Sequence, residues 1–255
     1  MRNSALISKL IVSLAAATSL IMFLWPLLIA SPSATDAQVA QTTFLLLMPL
    51  VLLIAIVELT TKGIDSRQLA VLAVLIALNA LVRMFGAGTA GIETAFFLII
   101  IAAYVFGSQF GFILGAGSIF VSSLITAGVG PWLPFQMMAA ALIGFAAGVL
   151  PKPNASKMKI TVLVLYAIVA SFVYGWLMTI WNWPYLIGLQ SDISYVAGAG
   201  FFENLRTFFA YDLLTGGLLW DLGRAVTTSL LIVVTAPALL TTLNRAANRA
   251  GFSKN

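Results

Sequence analysis

Two pairs of opposite charges are the first candidates for chemistry: Asp221 with Arg224, three residues apart, and Arg83 with Glu93, which bracket the glycine-rich stretch FGAGTAG. Both sit among long apolar runs, where an ionisable group costs several kcal/mol unless it faces a cavity or a partner. Asp221 and Arg224 fall on one helix face, with Trp220 one turn before Arg224. Such a pair either locks two helices together or turns one of its members toward a polar ligand. Arg83 and Glu93 can pair across the base of the loop between them. Gly86, Gly88 and Gly91 give that loop backbone freedom barred to other residues, so it reads as a lid able to open and close, or as a mobile connector.

Aromatic and amide side chains supply the remaining candidates. Trp132 and Gln136 lie one turn apart where the rigid GVGPW loop enters a helix. Tyr174 and Trp181 lie two turns apart in YGWLMTIWNWPY, with the amide of Asn182 beside them. An interfacial aromatic belt accounts for Trp183 and Tyr185. Aromatic walls with one or two amides suit a flat or bulky heterocyclic solute, and nothing in the pattern forms a continuous proton or ion relay.

Catalysis has little to work with. The chain has neither cysteine nor histidine, which removes thiolate chemistry, imidazole bases and the commonest metal ligands. No GxxxxGK[ST], GxGxxG, HExxH or GxSxG pattern occurs. The expectation is a binding protein with no catalytic residue, cofactor or metal site, and any ATP chemistry must come from another subunit.

Positioning these groups falls to a membrane bundle. The 255 residues are 61% hydrophobic and 8% charged, with a mean hydropathy of +1.06, against roughly 25% charged residues in a soluble domain. A bilayer core takes about 20 apolar residues per helix, and eight segments qualify or nearly so: residues 5–29, 44–59, 68–84, 93–106, 110–127, 133–150, 160–183 and 215–243. SPSATDAQ and PKPNASKMK read as polar turns between them. The connection 184–214 is too polar to span and too aromatic to be a disordered linker. Within the sixth segment Ala140, Gly144 and Gly148 recur every four residues, a stripe that lets neighbouring backbones approach closely. The start of the chain, Arg2 and Lys9 before an apolar run, resembles a secretory signal peptide, but it is long for one and contains Trp25-Pro26, so it is read as a span.

Charge sets the orientation, because cytoplasmic loops hold an excess of Lys and Arg. With both termini inside, all of the 13 basic residues except Arg83, Arg206 and Arg224 fall on the cytoplasmic side. Most acids, including Glu93, Asp212 and Asp221, then fall on or near the outer face. The net charge of +5 thus records topology; no basic stripe interleaved with aromatics suggests nucleic acid.

The order of these features resembles the substrate-specific S component of the energy-coupling factor (ECF) vitamin transporters. The likeness runs from about Arg67 to Leu243 and rests on FGAGTAG, GFILGAG, GVGPWLPFQM and WDLGRA, the GPWLPFQM segment being most similar to the cobalamin-type subgroup. It implies an all-α integral membrane fold with a six-helix core over residues 63–255, to which the first two apolar segments add two transmembrane helices over residues 1–62 that the resemblance does not explain. It further implies a subunit that captures a vitamin, best matched by cobalamin, from outside a bacterial cell. A separate transmembrane coupling subunit and two cytoplasmic ATPase subunits then drive release inside. Ala73 and Ala77 match the family's small-residue AxxxA contact with the coupling subunit; spacing alone favours generic helix packing, and it is the resemblance that reverses this. The implied pocket lies among residues 86–93, 128–136, 174–185 and 220–224, with Trp132 and Gln136 as one wall, Tyr174, Trp181 and Asn182 as another, and Arg224 with Asp221 as the polar floor. Two other readings are an ion-coupled secondary transporter, which calls for inverted repeats and midplane charges, and a non-transporting assembly subunit with no ligand. Neither explains why the outer face collects glycine loops, aromatics and charge pairs.

Overall fold

A computed structural model describes residues 2–28, 34–63, 66–86, 91–186 and 192–251. The described residues form ten α-helices and one 3-10 turn, with no β-strand. In chain order these are α1 (Arg2–Phe23), α2 (Trp25–Leu28), α3 (Ala34–Gly63), α4 (Ser66–Met84), α5 (Phe96–Phe106), α6 (Ser108–Ile125), α7 (Leu133–Ala147), α8 (Ser156–Ile180), the turn Trp183–Leu186, α9 (Phe201–Leu214) and α10 (Gly217–Arg249). Five stretches are long and apolar enough to cross a membrane: Val39–Glu58, Ser66–Met84, Ser108–Ile125, Ser156–Ile180 and Gly217–Arg249. Three shorter apolar stretches, Ser13–Phe23, Phe96–Phe106 and Leu133–Ala147, accompany them. Leucines and valines such as Leu46, Leu53, Val74, Leu165 and Val234 point outward, as they do where lipid is the solvent. The chain is a multi-pass membrane protein.

The fourth predicted segment is shorter than expected. Its helix begins at Phe96, so Glu93 stays in the connection, and it ends at Phe106, where Gly107 adopts φ +96° and α6 starts at once. Eleven residues rise only about 16 Å. All of them but Val105 are buried, and a helix apolar on every side belongs inside a bundle. SPSATDAQ is only partly a loop, since α3 starts at Ala34. The polar connection after α8 contains the short helix α9. Its start is fixed by Asn204, whose side chain accepts from the Val196 N–H and donates to the Val196 carbonyl, both at 3.1 Å.

Helices α6 and α7 meet backbone to backbone. A Cβ on Gly144 would strike the Gly111 carbonyl, one on Gly115 the Ala140 carbonyl, and one on Gly148 the amide of Ser108. The small residues of GFILGAG and of the predicted stripe are therefore two halves of one contact. The N-terminal helices join the same apolar core, with Phe23 edge-on to Phe135 at 5.3 Å. Trp25 sits in an aromatic cluster with Trp183, Tyr195 and Phe208.

Candidate functional site

The site is built where the start of α10, the second half of α8 and the connection between α4 and α5 come together. On α8, Gly175 leaves no room for a side chain because the Asp221 carboxylate occupies the space. Asp221 is 2% exposed and pairs with Arg224, the next turn of α10. Arg224 also donates to the Ser171 carbonyl at 3.0 Å, and its guanidinium lies 5.0 Å from the centre of the Tyr174 ring. Tyr174 in turn packs on Phe96 of α5 at 4.7 Å. One arginine thus ties α10 to α8 and holds an aromatic wall in place.

The connection from α4 is latched at its base. The Thr94 hydroxyl donates to the Val82 carbonyl at 2.7 Å, and Arg83 donates to the Ser122 hydroxyl of α6 at 3.0 Å. Arg83 Nε lies 3.9 Å from Glu93 Oε1, which also accepts from the Ala95 N–H at 3.2 Å. Gly91 has φ +76°, and a Cβ there would come within 2.6 Å of the Trp220 carbonyl. The strand of chain before α5 therefore lies directly on the first turn of α10, a contact that requires glycine. Gly88 lies outside the described residues.

Between these elements is a cavity of about 370 Å³. Its walls bring together Arg83 from the last turn of α4, Gly91, Ile92 and Glu93 from the connection, Gln136 from α7, Tyr174 and Met178 from α8, and Trp220 and Arg224 from α10. Burial pushes the Glu93 carboxyl above its ordinary 4.5, against the opposing pull of Arg83 and Arg224. Two guanidinium groups, one buried carboxyl, an amide and two aromatic rings converge on one small space. That set can hold a ring between Tyr174 and Trp220 while donating several hydrogen bonds to an anionic group.

Four predicted contacts stand elsewhere. Trp132 caps α7 half exposed, its ring folded over Gly130 rather than over the cavity. Trp181 is 4% exposed and closes α8 with helical backbone angles, but its ring is stacked on Phe135 of α7 at 4.0 Å and lines no part of the cavity. Asn182 lies in the turn that follows, its N–H donating to the Thr179 carbonyl. Asp221 sits behind Arg224 and orients it without forming part of the cavity wall. The expected wall of Tyr174, Trp181 and Asn182 is therefore divided, and Met178, one turn from Tyr174, takes the place given to Trp181. Met178 and Ile92 were missed; the i, i+4 relation to Tyr174 was the available signal for Met178. Ala73 and Ala77 are exposed on α4, away from the face that buries Leu72, Leu75, Asn79 and Ala80.

Searches among curated proteins and among solved structures gave no match. The family model for the ECF transporter, substrate-specific component, matches residues 67–246, which is α4 through nearly all of α10. That match spans more than two thirds of the chain and includes every residue of the cavity wall, so the chain belongs to the substrate-specific component family of ECF transporters, membrane subunits that bind a small-molecule substrate and work with a separate coupling module.

Proposed function

We propose that this subunit captures a vitamin-sized solute in the cavity between α4, α7, α8 and α10, from the outer side of the membrane. In this reading both termini are cytoplasmic, the N-terminal helices and the six core helices all cross, and a coupling subunit with two ATPases drives release inside. The observation that carries it is the convergence of Arg83, Glu93, Gln136, Tyr174, Trp220 and Arg224 on one cavity. Residues 86–93 serve as the lid, with Gly91 seated on α10 when it is shut.

The charge balance of the wall favours a solute with an anionic group held by Arg83 and Arg224. A volume of about 370 Å³ lies at the small end of ligand pockets and favours one or two rings. Cobalamin, to which the GPWLPFQM segment points, is far larger and would bind only with the lid withdrawn.

The test is equilibrium binding to the purified protein without ATP, across biotin, folate, riboflavin, thiamine and cobalamin. One of them should bind with a Kd below about 1 μM, and Arg83→Ala or Gln136→Ala should weaken it at least about tenfold, the loss of one good polar contact. If none of the five binds in that range, the vitamin reading fails. Tight binding of cobalamin alone, unaffected by Arg83→Ala, would overturn the assignment of an anionic ring compound.

A further inference from the structure

At the opposite end of α10 is a second, larger space that the substrate site does not explain. A cleft of about 610 Å³ lies between the first turns of α4 and the last turns of α10. It is lined by three arginines, Arg67 from α4 and Arg245 and Arg249 from α10, and otherwise by the apolar Ala70, Val71, Ala246 and Ala250 with Thr242. Arg245 and Arg249 are four residues apart, one above the other on the same helix face. Like charges in that relation repel, and among the described residues neither Arg245 nor Arg249 is in an ion pair or a side-chain hydrogen bond, whereas Arg67 has a partner of its own. The cleft sits at the end of membrane-crossing helices, where Leu69 and Val74 of α4 are exposed.

An anion with an apolar continuation satisfies every part of this geometry. We infer that the cleft holds the headgroup of an anionic phospholipid, its phosphate among Arg67, Arg245 and Arg249 and its acyl chains running down the apolar groove beside α4. Basic pockets between transmembrane helices at headgroup depth are suited to this, each nearby arginine strengthening attachment to an anionic surface. A lipid seated there fastens the ends of α4 and α10 to one leaflet, so the family's coupling partner meets a bundle whose tilt depends on headgroup charge.

Native mass spectrometry of the detergent-purified full-length chain tests this, titrated with dioleoylphosphatidylglycerol or dioleoylphosphatidylcholine. The wild type should retain phosphatidylglycerol with an apparent Kd about tenfold below that for phosphatidylcholine. Arg245→Gln with Arg249→Gln should weaken phosphatidylglycerol about thirtyfold, the effect of two surface charges. Arg245→Lys with Arg249→Lys should keep most of the preference, which guards against a folding defect in the glutamine variant. Lys152→Gln with Lys157→Gln removes the same charge from the connection before α8 and its first turn and should change nothing. Equal retention of both lipids, or equal loss in the two glutamine variants, overturns the inference. So does displacement of the lipid by glycerol 3-phosphate at matched concentration, which would make this a site for a soluble phosphate. Undiminished phosphatidylglycerol retention in the Arg245/Arg249 glutamine variant, together with failure to assemble with the coupling subunit, overturns it too and assigns the cleft to an acidic protein segment.

Discussion

Glu93 is the residue on which the electrostatics of the cavity between α4, α7, α8 and α10 turn. Its carboxyl is buried between Arg83 and Arg224, and desolvation outweighs their attraction, so its pKa lies above the ordinary 4.5. The folded protein therefore holds this proton more tightly than the unfolded chain does. Stabilisation tied to Glu93 is complete below about pH 4.5 and is lost as pH rises through the native pKa. Thermal unfolding of Glu93→Gln in detergent should accordingly depend less on pH than the wild type between about pH 4.5 and 8, with the variant gaining on the wild type as pH rises. Parallel curves, or a wild type that gains instead, would mean that the two arginines dominate and that Glu93 is an ordinary ion-pair partner. The pairing of Arg83 with Glu93 was legible because a loop of glycines returns the chain to its starting point. The location of Trp181 was not, since nothing in its spacing tells that Phe135 of α7 stacks on its ring.

At the scale of elements, the tightest constraint is the contact between α6 and α7. Gly111 and Gly144 each occupy space that a Cβ on the other side would need, and the obstructing atoms are backbone carbonyls. A methyl group cannot be accommodated by a side-chain rotation, so the helices must separate. Gly144→Ala should cost roughly 1–3 kcal/mol, the range for overpacking a well-filled core, read as a lower unfolding midpoint in detergent. Gly200→Ala is the control, because a Cβ there meets nothing within 4 Å and its φ of −68° suits alanine. Equal midpoints for the two variants would refute the close approach. The stripe Ala140, Gly144, Gly148 was readable from its four-residue period, but its partner was not, because many helices in such a chain offer small residues. The same ambiguity hid α9: a helix with Glu203, Arg206 and Asp212 among phenylalanines has neither the length of a span nor the polarity of a loop.

For the whole molecule, the division between binding and transport rests on which faces of the bundle remain uncovered. Helix α4 turns Leu72, Leu75, Asn79 and Ala80 inward, where it packs on α6, and leaves Ala73 and Ala77 exposed. The N-terminal helices cover a different side, through Phe23 on Phe135, so they leave this alanine face open. A surface of small residues lets a partner helix approach its backbone closely, and Arg83 at the end of the same helix reaches the cavity wall. A partner gripping α4 is therefore mechanically joined to the solute site without touching it. Replacing Ala73 and Ala77 together by phenylalanine adds bulk only on the open face. In vesicles containing the coupling subunit and ATPases, the variant should lose solute uptake by at least about tenfold and should no longer co-purify with the coupling subunit. Its ATP-independent affinity for the same solute should stay within about twofold of wild type, since no cavity residue moves. Uptake at the wild-type rate would remove α4 from the coupling interface. Loss of affinity in step with uptake would mean that the alanine face supports the cavity itself, and the separation of binding surface from coupling surface would have to be abandoned.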